Sequence, residues 1–169
     1  MSALHRWLFL ACGLFLATGC KISVSTTGAS ISPNTTTCRV SYFPNRARII
    51  NASLSSELTD ALRDKIQSQT SLKLVNGEAD VVFEGEITGY DTQPVAITGQ
   101  NVAAMDRLTI TVNVNFTNQQ NPEYNFSNSF SRYADYSRSS SLQSVEAALV
   151  SEILLLLLED IYNQAFVNW

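Results

Sequence analysis

Leu108-Thr109-Ile110-Thr111-Val112-Asn113-Val114-Asn115-Phe116-Thr117 alternates large apolar and small polar side chains without an error. Successive side chains of a strand point to opposite faces, so this period of two predicts a strand buried on one face and open on the other. Thr109, Thr111, Asn113, Asn115 and Thr117 form the open side. Asn118 to Pro122 then reads as a turn. Tyr124 to Tyr133 reads as a returning strand, with Tyr124, Phe126 and Phe130 on one side and Asn125, Ser127, Ser129 and Ser131 on the other. Upstream, Asp80 to Tyr90 places Val81, Phe83 and Ile87 on one face and Glu84, Glu86 and Thr88 on the other. Two shorter strands are expected at Cys38 to Phe43, stopped by Pro44, and at Ser71 to Val75, broken by Asn76-Gly77.

Two stretches carry helical spacing instead. Between Asn51 and Gln69, Leu54, Leu58, Leu62 and Ile66 recur every four residues, with Ala61 beside them and Asp60, Arg63, Asp64 and Lys65 around the other faces. A second helix is expected from about Leu142 to Val167, with Leu142, Val145, Leu149, Ile153 and Leu156 as its inner stripe. The unbroken run Ile153-Leu154-Leu155-Leu156-Leu157-Leu158 exceeds that stripe, which predicts burial on more than one side. It is far short of the roughly 20 apolar residues that cross a bilayer, and Glu152 and Glu159-Asp160 bracket it. Two helices must then cover one face of a mostly antiparallel four- to five-stranded sheet, leaving the Thr/Asn/Ser face bare. This is a two-layer α+β sandwich. The connection Thr92 to Ala104 carries Val95, Ala96, Ile97, Val102 and Ala103, too apolar for an idle loop, so partner contact and a fold back over the core are both open readings.

The amino terminus sets the compartment. Trp7 to Leu16 is a short apolar run behind His5 and Arg6, the length of a signal h-region and not of a membrane span. Leu16-Ala17-Thr18-Gly19-Cys20 follows it directly as a lipobox. Small residues at 17–19 let a peptidase approach the extended backbone, and the Cys20 thiol is the group that takes diacylglycerol. Residues 1–19 are thus expected to be removed and Cys20 to be acylated, with chains that contribute roughly 0.8 kcal/mol per buried CH₂. Lys21 stands where an Asp would retain a lipoprotein at the inner membrane, so the outer membrane is expected, with the body facing the periplasm. Residues 20–37, rich in Ser and Thr, read as a flexible tether, and 38–169 as one domain.

Composition narrows the function classes. The mature chain has ten basic and fifteen acidic residues, a net charge of −5, which disfavours nucleic acid as a partner. Its only histidine, His5, leaves with the signal, removing Ser-His-Asp and Cys-His catalysis and the commonest zinc ligand sets. Cys38 is the only remaining thiol and reads as a small apolar strand residue. Glu84 and Glu86, two apart on one strand face, could pair for acid/base work, but neither a nucleophile, a metal set nor a glycine-rich phosphate loop accompanies them. No enzyme, cofactor or metal is expected.

Several segments in order resemble the LptE family, outer-membrane lipoproteins of lipopolysaccharide assembly, in its Bacteroidetes branch. They are Gly28-Ala29-Ser30-Ile31-Ser32-Pro33, Tyr42-Phe43-Pro44-Asn45, Gln69-Thr70-Ser71-Leu72-Lys73-Leu74, Phe83-Glu84-Gly85-Glu86-Ile87-Thr88-Gly89-Tyr90, Ala96-Ile97-Thr98-Gly99, Arg107-Leu108-Thr109-Ile110-Thr111-Val112 and Ala165-Phe166-Val167-Asn168-Trp169. The resemblance implies a non-enzymatic plug within the lumen of an LptD-type barrel, assisting its assembly and the delivery of lipopolysaccharide to the outer leaflet. Some members of the family bind lipopolysaccharide through basic residues. The resemblance assigns no such residues here. A barrel lumen is polar, and an unpaired charge enclosed in it is costly. The face of Thr109, Thr111, Asn113 and Asn115 with Ser127, Ser129 and Ser131 meets that requirement, and a plain solvated sheet face is the other open reading. Thr109, Thr111, Asn113 and Asn115, with Ile97 and Val102 of the apolar connection, are the expected partner contacts. The alternative is a lipid-anchored scaffold or binding module unrelated to lipopolysaccharide.

Overall fold

The computed structural model describes residues 31–95 and 104–167. Cys20, the signal segment, most of the tether, Ile97, Val102 and the closing Asn168-Trp169 lie outside the described residues. Strands β1 (Thr37–Val40), β2 (Lys73–Leu74), β3 (Val81–Val95), β4 (Met105–Asn118) and β5 (Phe126–Ser137) form one sheet in the order β2-β1-β3-β4-β5. Helices α1 (Leu54–Gln69) and α2 (Leu142–Phe166) complete the expected α+β architecture. β1 runs parallel to both β2 and β3, whereas β3, β4 and β5 are antiparallel. The parallel β1–β2 pair follows from α1, a crossover long enough to return the chain to the same end of the sheet.

The alternating stretch behaves as expected. Leu108, Ile110, Val112 and Val114 are 0% exposed and Phe116 is 1%. Phe83, Phe116 and Phe166 bring β3, β4 and α2 together, with ring centroids 4.8–5.9 Å apart in tilted and edge-on arrangements favoured by the ring quadrupoles. α1 buries Leu54, Leu58, Leu62 and Ile66. Its start is later than the expected Asn51, because the Asn51 side-chain oxygen accepts from the backbone N–H of Ser53 and Leu54 and makes a turn before the helix. Buried Thr59 ties α1 to the β1–α1 connection, accepting from the Phe43 N–H at 3.1 Å and donating to the Ser55 carbonyl at 2.7 Å.

Four expectations need correction. β3 continues to Val95, pairing Thr92 through Val95 with Leu108 through Met105, so the first residues of the expected 92–104 connection belong to a strand. Within β3, the pairing jumps from Ile87–Val112 to Gly89–Thr111, a bulge that makes Thr88 the extra residue and turns Tyr90 onto the core side. Tyr124 sits in a 3-10 turn, Pro122–Tyr124, ahead of β5 and not on its inner face. In α2, Leu156 is 44% exposed and does not belong to the inner stripe. The buried set is Leu149, Val150, Ile153, Leu154, Leu157, Leu158, Ile161, Tyr162, Ala165 and Phe166. Pairs of neighbours recurring at this spacing make a wide stripe, because α2 packs against the sheet and against α1 at once. The run is therefore not apolar-buried all round: Leu155 and Leu156 face outward. Among the described residues no helix is long and apolar enough to cross a membrane.

Contacts of the folded body reach back past the expected Cys38 boundary. Ile31 packs on the core, and the Thr36 and Thr37 N–H groups and hydroxyls all donate to Asp80. Those bonds, led by the Thr36 N–H, hold the Asp80 carboxyl well below the usual carboxylate range.

Candidate functional site

β4 is the centre of the uncovered sheet face. Its cross-strand register sets Glu84, Asn115 and Ser127 in one row and Glu86, Asn113 and Ser129 in the next. Gly89, Thr111 and Ser131 form a third row, followed by Asp91, Thr109 and Tyr133. Asn113, Asn115, Ser127, Ser129 and Ser131 are exposed, while Thr109 and Thr111 are half-buried. Hydroxyls and amides knit the rows together: Thr111 Oγ1 and Ser131 Oγ are 3.0 Å apart, and Ser127 Oγ donates to Asn115 Oδ1 at 2.5 Å. Gly85, Glu86, Asn113, Asn115, Ser127 and Ser129 border a shallow concavity of about 630 Å³. Gly85 is needed there, because a Cβ on it would lie 2.1 Å from the Asn113 carbonyl oxygen and 2.6 Å from the Phe43 ring.

Charge at the two ends of this face is paired, while Glu86 sits between them beside Asn113 without a side-chain partner among the described residues. Glu84 receives Arg39 at 3.2 Å and the Ser41 hydroxyl at 3.4 Å. At the other end Arg107 makes a two-pronged contact with Asp135, at 2.7 and 2.9 Å, with its guanidinium 3.5 Å from the Tyr133 ring centre. That hydrogen-bonded pairing lowers the Asp135 pKa and raises that of Arg107. Glu84 is thus held by Arg39 and Ser41, whereas the Glu86 carboxylate has no such partner among the described residues. Cys38 is fully buried and its thiol is pushed up to about 12 by desolvation, which leaves it no nucleophilic role. Among the described residues, no group of three or more His, Cys, Asp and Glu side chains is placed to hold a metal ion.

Four of the six expected contact residues, Thr109, Thr111, Asn113 and Asn115, are thus brought together on one open surface. Ile97 and Val102 lie outside the described residues. The sequence reading missed the Arg107–Tyr133–Asp135 group, although all three occupy the outward phase of their strands. It also missed a polar clasp away from this face. There, Glu146 of α2 accepts from the Tyr90 hydroxyl and from Asn51 Nδ2, joining β3, α2 and the α1 entrance. Burial, followed by the hydrogen bond to Glu146, raises the Tyr90 pKa. Tyr90 reaches this clasp only because of the Thr88 bulge, for which the sequence carries no periodic signal.

The sequence matches the family model described as "LptE: Lipopolysaccharide-assembly" over residues 35–165, from just before β1 to the last turn of α2. None of the curated proteins matches it. A solved structure of a hypothetical protein from Chlamydia trachomatis is similar, with a TM-score of 0.51 and 11% identity, covering 78% of this chain and 98% of that one. A Xanthomonas campestris protein gives a TM-score of 0.51 and 10% identity, covering 79% and 88%. A minor lipoprotein from Acinetobacter baumannii aligns at 15% identity over 73% of this chain and 91% of that one, with a TM-score of 0.48. At such identities the first two speak for the fold alone.

Proposed function

Because the chain belongs to the LptE lipopolysaccharide-assembly family, we propose that it is a non-enzymatic outer-membrane lipoprotein, acylated at Cys20, that plugs an LptD-type barrel and assists its assembly. The observation that carries this reading is the open sheet face, where the amides and hydroxyls of β4 and β5 form a neutral, hydrogen-bonded patch with Glu86 as the single carboxylate bordering it and the charges at its ends paired. A surface enclosed by a polar lumen must exchange hydrogen bonds with water for bonds with the barrel. Neutral donors and acceptors do so at little cost, whereas an isolated charge would be stranded. The lipid at Cys20 holds the body at the membrane, and the tether raises its local concentration beside the barrel mouth.

The test is recovery of the barrel with the full chain, tagged at its C-terminus and extracted from membranes. Stoichiometric barrel with wild type and a marked loss with Asn113→Arg/Ser129→Glu is the expected result. The two substitutions lie directly opposite each other, so the new charges pair on the free protein and leave its fold intact. Undiminished recovery with that variant would move the interface elsewhere, with the 92–104 segment first in line. A different stoichiometric partner would favour the lipid-anchored scaffold. The intact mass of the membrane-extracted protein should correspond to a chain starting at Cys20 with lipid added; an unmodified full-length chain would overturn the anchor.

A further inference from the structure

On the side of the molecule away from the Thr/Asn/Ser face, α1 and α2 leave a groove of about 470 Å³ between them. Its apolar side is Leu154, Leu155 and Leu158 of α2, and its other wall carries Glu57, Asp60 and Asp64 of α1. Leu154 and Leu158 form a buried floor, but Leu155 stands out with 68% of its surface exposed. Its exposure contrasts with Ile153 and Leu157, which are both 0% exposed. The surroundings of Leu155 are acidic on both helices. Glu152 and Glu159 flank it on α2, one turn away on either side, and the three carboxylates of α1 follow one another at i, i+3 and i+7 across the groove.

The cations nearby neutralise only part of this rim. Arg63 meets Asp60 at 3.2 Å but also donates to the Val40 carbonyl, and Lys65 is committed to Glu159 at 2.6 Å with its ammonium over the Tyr162 ring. The carboxylates of Glu57, Asp64 and Glu152 have no hydrogen-bond or ion-pair partner among the described residues. An apolar centre with a charged rim is the anatomy of a protein interface. Its sign selects the occupant: three unpaired carboxylates, beside the paired Asp60 and Glu159, repel phosphate-bearing lipid, nucleic acid and anionic peptide alike, and attract a cationic one.

We propose that the α1–α2 groove docks a basic amphipathic segment of a partner protein, a helix whose lysines or arginines face Glu57, Asp60 and Asp64 while an apolar side chain covers Leu155. Helix-in-groove recognition uses the same i, i+3/i+4, i+7 spacing that the α1 carboxylates present. The site lies opposite the sheet face, so it stands whether or not that face enters a barrel.

The test places a photo-crosslinking benzoyl-phenylalanine at position 155 of the full chain in cells, with the same probe at exposed Ser129 as the comparison. The expected result is a discrete adduct at 155, mapped by mass spectrometry to a partner segment with at least two basic residues within two helical turns. Charge reversal by Glu57→Lys/Asp64→Lys should reduce that adduct at least tenfold. A gentler Glu57→Gln/Asp64→Asn variant should reduce it by less, which separates loss of charge from any misfolding. Absence of an adduct at 155 overturns the proposal, as does an adduct to an acidic or uncharged segment, to lipopolysaccharide, or to a second copy of this chain. Insensitivity of the adduct to both charge variants overturns it equally.

Discussion

β4 and the middle of α2 both supply large apolar side chains to the core, and they differ in what their side chains disclose. In β4 every apolar residue has a polar neighbour, so orientation follows at once: Leu108, Ile110, Val112, Val114 and Phe116 go inward and the threonines and asparagines outward. In α2 the six residues 153–158 carry no polar contrast, and any of several stripes fits them. The structure chooses Ile153, Leu154, Leu157 and Leu158 and leaves Leu155 and Leu156 outside. A hydrophobic pattern conveys direction through contrast. Where contrast is missing, the neighbours decide.

Truncation along α2 tests that comparison most strongly. Leu157→Ala should destabilise by about 2–5 kcal/mol, the usual range for a buried leucine. Leu156→Ala should stay within about 0.5 kcal/mol, as for an exposed site. Denaturant melts of the two variants check the pair, and equal losses would restore Leu156 to the inner stripe.

A smaller effect is expected at the sheet. Gly85→Ala introduces a Cβ against the Asn113 carbonyl and the Phe43 ring. The strands must shift to admit it, at a cost of about 1–3 kcal/mol. Thermal unfolding measures this, and a neutral result would mean that β3 and β4 yield more readily than their close approach implies.

The third expectation concerns acid. Asp80 has a folded-state pKa held below the unfolded value by the Thr36 and Thr37 donors. Its stabilising contribution is therefore complete above the unfolded pKa of about 4 and is lost as the pH falls below it toward the folded value. Asp80→Asn should melt lower than wild type at pH 7, and the gap should narrow on going to pH 3. A gap independent of pH would assign the effect to geometry alone.

The least effect on stability, and the sharpest on assembly, belongs to the open side of β4. Asn113→Arg/Ser129→Glu should leave the melting temperature of the purified chain nearly unchanged, within about 0.5 kcal/mol, while lowering barrel recovery. Loss of stability as well would show that the outward residues serve the fold and not only a partner.

Period and contrast in the chain alone determined the α+β class, the two helices, the single-faced burial of β4 and the polar character of its other side. These follow from local chemistry, because strand and helix place side chains at fixed intervals and water sorts them by polarity. Only the tertiary structure decided the rest. The Thr88 bulge depends on how β3 must track β4, and Tyr90 turns inward toward Glu146, far away in sequence. The extension of β3 to Val95 needs the pairing of β4, which a loop reading of Thr92 to Ala104 cannot supply. Pairing of Arg107 with Asp135 rests on β4–β5 register. The choice of buried leucines in α2 rests on its simultaneous contact with the sheet and α1, for six identical-looking apolar side chains hold no record of which neighbour will cover them.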